Sequence, residues 1–288
     1  MKFIREMRKI LSKIDIELSS KIMYRFFVHK KLNLDNPKTF NEKICWLKLY
    51  EFPKEQIVID CADKYKMRKI VSAKGYSDLL VNLIGVWERP EDIEWDLLPN
   101  KFVLKCNHGC SYNIICNDKN KIEKRKVIKK LKKWQKEDFG LVSGEPHYSK
   151  IDRRIICEEF LEGSLKDYKF FCFNGVPKFY YVAVVPNGEL HNMVCDFFYP
   201  NGKIADFYRL DHKRFAETPE IPQNLNEMLS IATDLSKNFP FVRIDFMSVG
   251  EKLYFSEFTF TPSAGIMPLA PNGADEKIGE WLNLEYYR

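Results

Sequence analysis

The residues best suited to chemistry lie in one stretch, FVRIDFMSVGEKLYFSEFTFTPSAG at 241–265. Aromatic and β-branched residues on both sides of Val249-Gly250-Glu251 predict a hairpin. With a three-residue turn, Asp245 stands opposite Phe255 and Arg243 opposite Glu257. Side chains alternate between faces with period two. Val242, Ile244, Phe246, Tyr254, Phe258 and Phe260 then share an apolar face, and Arg243, Asp245, Glu257, Thr259 and Thr261 share the other. Cross-strand neighbours place the two carboxylates and the guanidinium within roughly 5–8 Å of each other. Carboxylates that close repel unless something positive sits between them. Arg243 is one such charge. Mg²⁺, which takes one or two carboxylates plus phosphate oxygens, is another. The alternative is an outward ion pair with no ligand, and a two-residue turn would send the two carboxylates to opposite faces.

Further polar residues occur where a strand would have to expose or neutralise them. In Lys101–Cys106, Phe102 and Leu104 point one way and Lys105 the other, just before the turn Asn107-His108-Gly109-Cys110-Ser111. A strand lysine is costly to bury without an anion. A turn of small residues offers a hydroxyl and backbone N–H groups to phosphate. Glu158 and Glu159 end the segment 154–161, and Lys169 precedes the strand at 170–173. Lysines neutralise triphosphate oxygens and carboxylates hold the metal that bridges them, so the set suits phosphoryl transfer. The sequence contains no Walker-type P-loop, GxGxxG, GxSxG or DxD motif.

Several elements have to position these groups. A helix is expected over 2–28, with Phe3, Ile4, Met7, Ile10, Leu11 and Ile14 on one side and Lys2, Arg5, Arg8, Lys9 and Lys13 on the other. Such a helix either packs on its own protein or lies on an anionic membrane surface. Thr39 and Glu42 have capping-box spacing for a helix running to about Tyr50. A helix over 62–74 carries charges read as solvated. Strands are expected at 79–86, 101–106, 154–161, 170–173, 178–185 and 192–199, and helices at 224–238 and 275–284. Short strands in hairpins mixed with helices argue for an α+β fold.

The chain has 288 residues, 45% of them hydrophobic, enough for one large or two modest cores. It has no run of 18 apolar residues and no signal-peptide pattern. Its eight cysteines form no CxxC pair and read as reduced, buried thiols of a cytoplasmic protein. Cys106, His108 and Cys110 could begin a zinc site, but no second ligand cluster completes it. Net charge is +6, yet residues 119–136 hold ten basic residues against one acid, leaving the rest of the chain at −3. Val127, Leu131 and Trp134 make this segment an amphipathic helix with a cationic outer face. That face is either solvated or meets a polyanion, and no nucleic-acid-binding motif accompanies it.

The order of NPKTFNEKICWLKLY (36–50), DKYKMRK (63–69), FVLKCNHGCSYN (102–113), ICEEFLEGSLKDYKFFCFNG (156–175) and VRIDFMSVGEKLYFSEFTFTPSAG (242–265) resembles the TupA-like ATP-grasp family of bacterial surface-polysaccharide gene clusters. The resemblance implies an ATP-grasp fold of antiparallel sheets with flanking helices. Its expected parts are a helical region at 1–100, a central subdomain at 101–175 with phosphate loop and adenine hinge, and a C-terminal subdomain at 176–288. It implies ATP and Mg²⁺, with Lys64 and Lys105 on phosphates and His108, Gly109 and Ser111 in a phosphate-covering loop. Glu158, Glu159, Phe160 and Leu161 would form the adenine hinge, and Asp167 would be a ribose or metal-side carboxylate. Lys169 would contact phosphate or substrate, Asp245, Glu257 and Thr259 would bind metal, and Arg243 would steady an acyl phosphate. Thr259 stands where many such enzymes carry Asn.

The implied reaction joins a carboxylate to an amine through an acyl phosphate, attaching an amino acid to a uronic acid of a capsular or other surface polysaccharide. The setting would be cytoplasmic, with peripheral contact at the inner membrane face through the N-terminal basic helix. A glycosyltransferase, a glycan kinase and a non-catalytic polyanion-binding module are the competing readings.

Overall fold

The structure, a computed structural model, describes residues 2–185 and 193–285. The Lys2 side chain and residue 192 of the expected strand 192–199 lie outside the described residues. The chain divides into two compact units. One comprises the residues up to 16 together with 53–162, and the other comprises 17–52 together with 163 onward.

The first unit is built on a four-stranded antiparallel sheet of order β1-β4-β2-β3. Its strands are β1 (Leu83–Trp87), β2 (Phe102–Cys106), β3 (Asn113–Cys116) and β4 (Ile155–Glu159). Its helices are α1 (Lys2–Ile14), α4 (Gln56–Ala62), α5 (Met67–Ala73), α6 (Lys124–Lys136) and α7 (Phe139–Ser143). Period-two alternation turns Phe102, Leu104, Cys106, Ile155 and Cys157 into the core, where they meet Val127 and Leu131 of α6 and Phe139 of α7. Val103, Lys105, Ile156 and Glu158 are left for the opposite face.

The second unit holds a five-stranded antiparallel sheet of order β10-β9-β5-β6-β7. Its strands are β5 (Leu165–Phe173), β6 (Val176–Val184), β7 (Val194–Phe198), β9 (Phe241–Val249) and β10 (Lys252–Thr259). A two-stranded ribbon joins β8 (Tyr208–Arg209) to β11 (Leu269–Ala270). The helices are α2 (Ile16–Phe27), α3 (Phe40–Tyr50), α8 (Leu225–Ser236) and α9 (Ala274–Glu280). Met228, Ile231, Ala232 and Leu235 are the buried apolar positions of α8, which packs on β5, β6 and β9. The far end of the other sheet face is closed by aromatic rings: Phe40 of α3 lies 5.1 Å from Phe241 and Phe171 stacks on Phe179 at 4.4 Å.

The capping box at Thr39 and Glu42 is present. Next to it, fully buried Asn41 exchanges two hydrogen bonds with the Met267 backbone, and Lys48 Nζ donates to the Ala264 carbonyl at 2.9 Å. This helix thereby holds the loop that follows β10.

Some expectations need correction. The helix expected over 2–28 breaks at Asp15, and that over 62–74 opens with a turn at 63–66, leaving only α5 helical beyond the last residue of α4. Strand β3, the ribbon strands β8 and β11, and the extension of the 170–173 strand back to Leu165 were not expected. The division into two units also differs from boundaries at 100 and 175. The physical reason is pairing: β5 begins just after Gly163 and is sandwiched between β6 and β9, so the break falls before it. Seven cysteines are buried, whereas Cys110 is exposed at its turn.

Candidate active site

In the second unit, β9 and β10 join through a two-residue turn at Gly250-Glu251, because Val249 pairs with Lys252. Gly250 has φ +58°, the left-handed conformation such a turn favours. Uninterrupted, this register would separate the carboxylates. A bulge at Ser256, between Phe255 and Glu257, shifts the register by one residue and places Glu257 directly opposite Asp245 and Thr259 opposite Arg243. The acids therefore share a face for a different reason from the expected three-residue turn. The bulge also changes the apolar face: Leu253 and Phe255 are its buried members, and Tyr254 is not.

Asp245 is fully buried. Arg243 Nε donates to its Oδ1 and Nη2 to its Oδ2, both at 2.6 Å. Lys169, its partner on β5, donates to Oδ2 at 2.8 Å. The Arg243 guanidinium also donates to Thr259 Oγ1 at 3.0 Å and lies 5.9 Å from the ring centres of Phe171 and Tyr181. The Thr259 hydroxyl donates to Glu257 Oε1 at 3.2 Å, and Arg243 Nη2 stands 3.7 Å from that oxygen. The Glu257 side chain is 27% exposed, so this carboxylate is the solvent-facing one.

Burial is the largest influence and opposes the charged forms of Lys169 and Arg243, but Asp245 together with Tyr181 and the neighbouring acids outweighs it, and both pKa values lie above the ordinary range. Asp167 shows the converse: burial raises its pKa, Lys169 and Arg243 lower it, and Asp245 and Glu257 raise it further. Around Asp245 the acids Asp167 and Glu257 meet the bases Lys169 and Arg243, so three carboxyl groups lie close to two cations.

In the first unit, Lys105 and Glu158 meet. Lys105 Nζ donates to Glu158 Oε2 at 2.5 Å, and Arg68 of α5 donates to Glu158 Oε1 at 3.1 Å and to the Val81 carbonyl at 2.7 Å. Arg68 is thus held across the sheet face and is not a solvated helix charge. Lys64 lies in the turn between α4 and α5, not on a helix as expected. Its backbone N–H donates to the Asn107 carbonyl at 3.2 Å.

The turn after β2 is held from beneath. Asn107 is fully buried; its Nδ2 donates to Asp63 Oδ1 and to the Asp152 carbonyl, both at 2.8 Å, and its Oδ1 accepts from the Arg154 N–H at 2.7 Å. His108 is also buried, with Nε2 3.2 Å from the Trp134 carbonyl, and burial pushes its pKa down to about 4, so the ring is neutral. Gly109 is buried beside Phe139. Cys110 and Ser111 project, Ser111 with φ +61°. Only the tip of this turn therefore faces solvent.

Glu159 is exposed at the end of β4 and its N–H donates to the Asn82 carbonyl at 3.0 Å. Phe160 and Leu161 are half-buried and lie beyond the strand. No three His, Cys, Asp or Glu residues come together to hold a metal ion among the described residues.

Sequence reasoning missed three positions. Asn107 and Asp63 were read only as turn and helix residues, although a buried Asn paired with an Asp is a signal of a fixed turn. Arg209 was not singled out; it is 8% exposed, forms a two-point pair with Asp211 at 2.9 and 2.7 Å and donates to Ser263 Oγ at 3.2 Å.

These features define an α+β protein with a buried arginine–aspartate–lysine cluster on an antiparallel sheet. The chain belongs to the TupA-like ATP-grasp family, whose model matches residues 42–283. No curated protein sequence matches it. Among solved structures, it is similar to a D-alanine–D-alanine ligase from Bacillus anthracis complexed with ATP, at 17% identity and TM-score 0.43, covering 69% of this chain and 55% of that one. It is also similar to a D-alanine–D-alanine ligase from Helicobacter pylori, at 16% identity and TM-score 0.44, covering 84% and 68%. An L-amino acid ligase from Bacillus licheniformis matches at 12% identity and TM-score 0.43, covering 79% and 47%. This chain thus spans about half the length of the first and third, and at these scores the likeness carries no argument about activity.

Proposed function

We propose that this protein is an ATP-dependent carboxylate–amine ligase that attaches an amino acid to a uronic acid of a surface polysaccharide. The observation that carries the reading is the Arg243–Asp245–Lys169 cluster with Glu257 and Thr259 at its open side. Family membership supports it.

The donor set fits Mg²⁺, since Asp245, Glu257 and Thr259 offer hard oxygen ligands on one face. MgATP supplies the γ-phosphoryl group that activates a carboxylate. Glu257 and Asp245 would hold the metal, with Thr259 beside them and Asp167 behind. Asp245 Oδ2 accepts from both Arg243 and Lys169, whereas Oδ1 accepts from Arg243 Nε alone, so Oδ1 would be the Asp245 oxygen with a lone pair for the metal. Arg243 and Lys169 would lie beside the transferred group, where their charges would neutralise phosphoryl oxygens. A substrate carboxylate oxygen attacks the γ-phosphorus and the bond to ADP breaks. The amine then attacks the carbonyl carbon, phosphate leaves and the amine proton is lost to solvent.

In the first unit, Lys105, Lys64 and the exposed Ser111 are assigned to nucleotide phosphates. The strand end at Glu158–Glu159, with Phe160 and Leu161, is assigned to the adenine. His108 and Gly109 support the turn from inside. An acidic acceptor is supported by α6: Arg125, Lys129, Lys133 and Lys136 lie at helical spacing along it and make no ion pair among the described residues.

The test is product analysis with ATP, a uronic acid and an amino acid. ADP, phosphate and an amide support ligation. ADP with a phosphorylated sugar would make the protein a kinase, and absence of ATP turnover would remove the enzyme reading.

A further inference from the structure

The helix α1 carries two distinct outer sides. Its inner side is tied to its own unit: Arg5 pairs with Glu137 and donates to Tyr112 Oη at 3.0 Å, Arg8 donates to the Ser143 carbonyl at 3.0 Å, and Ser12 is buried. These bonds set the rotation of the helix about its axis. They turn the boundary between its basic and apolar sides toward the protein, so Ile4, Met7 and Leu11 of the apolar side are half-buried while its outer part is left in water. Phe3 is 79% exposed, Ile10 61% and Ile14 77%, with half-buried Met7 between them. Positions 3, 7, 10 and 14 form one continuous stripe at 3–4 spacing. Beside it run half-buried Lys9 and exposed Lys13, with exposed Glu6 among them, and neither lysine forms an ion pair among the described residues.

We infer that α1 docks this protein onto an anionic lipid bilayer, with Phe3, Ile10 and Ile14 inserted at the headgroup boundary and Lys9 and Lys13 at the level of the phosphates. Contiguous apolar side chains held in water mark an interaction surface. An apolar stripe next to a cationic one is the arrangement of an interfacial helix. A second copy of the chain fits less well. The 13-residue helix offers only two heptads, short of what a stable coiled coil needs, and a facing copy would bring like charges together. No helix among the described residues is long and apolar enough to cross a membrane, so the contact is peripheral.

The experiment is co-sedimentation of the full chain with vesicles of phosphatidylcholine alone and of phosphatidylcholine mixed with phosphatidylglycerol. The full chain should partition onto the anionic vesicles, and added salt should weaken the partition. Ile10→Gln with Ile14→Gln should reduce it at least about tenfold, because two inserted side chains are lost. Lys9→Glu with Lys13→Glu should abolish the preference for anionic lipid. Far-UV circular dichroism and melting temperature should be unchanged in both variants, since none of the four side chains packs in the core.

Failure of the wild type to bind anionic vesicles would overturn the inference, as would equal binding by the Ile10/Ile14 variant. So would a wild-type dimer that the same variant makes monomeric while vesicles take up neither protein, which would assign the stripe to a second copy.

Discussion

Asp245 and Glu257 face each other across one strand pair, yet the structure gives them opposite stability roles. Asp245 is fully buried and accepts three charged hydrogen bonds, two from Arg243 and one from Lys169. Replacing it with Asn leaves two buried cations facing one another. Breaking a buried pair in this way costs about 3–5 kcal/mol. At about 2–4 °C per kcal/mol for a unit of this size, the melting temperature should fall by roughly 6–20 °C. Glu257 is partly exposed and only 3.7 Å from a guanidinium that Asp245 already engages at two points. Glu257→Gln therefore leaves no buried charge stranded and removes one of the carboxylates that repel each other around Asp245. Its apo melting temperature should stay within about 4 °C of wild type or rise, as expected for a partly exposed pair worth at most about 1 kcal/mol.

The two substitutions separate again when MgATP is added. At a hundredfold excess over its dissociation constant, a ligand stabilises by about 2.7 kcal/mol, or roughly 5–11 °C here. Wild type should show that shift, and Glu257→Gln should lose most of it together with turnover. Differential scanning fluorimetry with and without MgATP, alongside phosphate release, measures both. The reasoning is refuted if Glu257→Gln melts early in the apo state yet retains the MgATP shift and normal turnover. In that case the hairpin is architecture.

Other consequences can be checked separately. Lys105→Met should lower ATP affinity at least about tenfold, through loss of a charge-assisted contact worth roughly 1.5–3 kcal/mol; Arg68 still pairs with Glu158, so the variant should fold, and calorimetric titration with unchanged affinity would count against the assignment. The His108 imidazole has a folded pKa of about 4 against an unfolded value of about 6.5, so its contribution is complete above about pH 6.5 and is lost as pH falls toward 4. The loss is on the order of 3 kcal/mol, and His108→Gln should flatten that part of the melting temperature against pH curve. Reversing Lys129, Lys133 and Lys136 to Glu should weaken use of a polymeric uronate acceptor and flatten its salt dependence, with ATP affinity unchanged. Unaltered kinetics on the polymer would return α6 to a solvated face.

The local signals in this chain were reliable where they depended on neighbours in sequence. Thr39 and Glu42 form their capping box because both partners lie within one helical turn. Val127 and Leu131 are buried because a period of 3.6 fixes which side of α6 is apolar. The alternation of β2 placed Phe102 and Leu104 in the core and Lys105 opposite, as period two requires. What the site depends on is of another kind. Glu257 opposes Asp245 only because Ser256 bulges out of the ladder, and one residue of slip inverts every side chain beyond it. The sequence alone left both turn lengths open, since neither Gly250 nor Ser256 forces a bulge. Lys169 reaches Asp245 because β5 inserts next to β9, 76 residues apart in sequence. Glu158 draws in both Lys105 and Arg68 from separate elements. Residue types and their periodicity determined which groups this protein exposes and buries. Only the pairing of distant strands, set by long-range hydrogen-bond register, decided which charges meet.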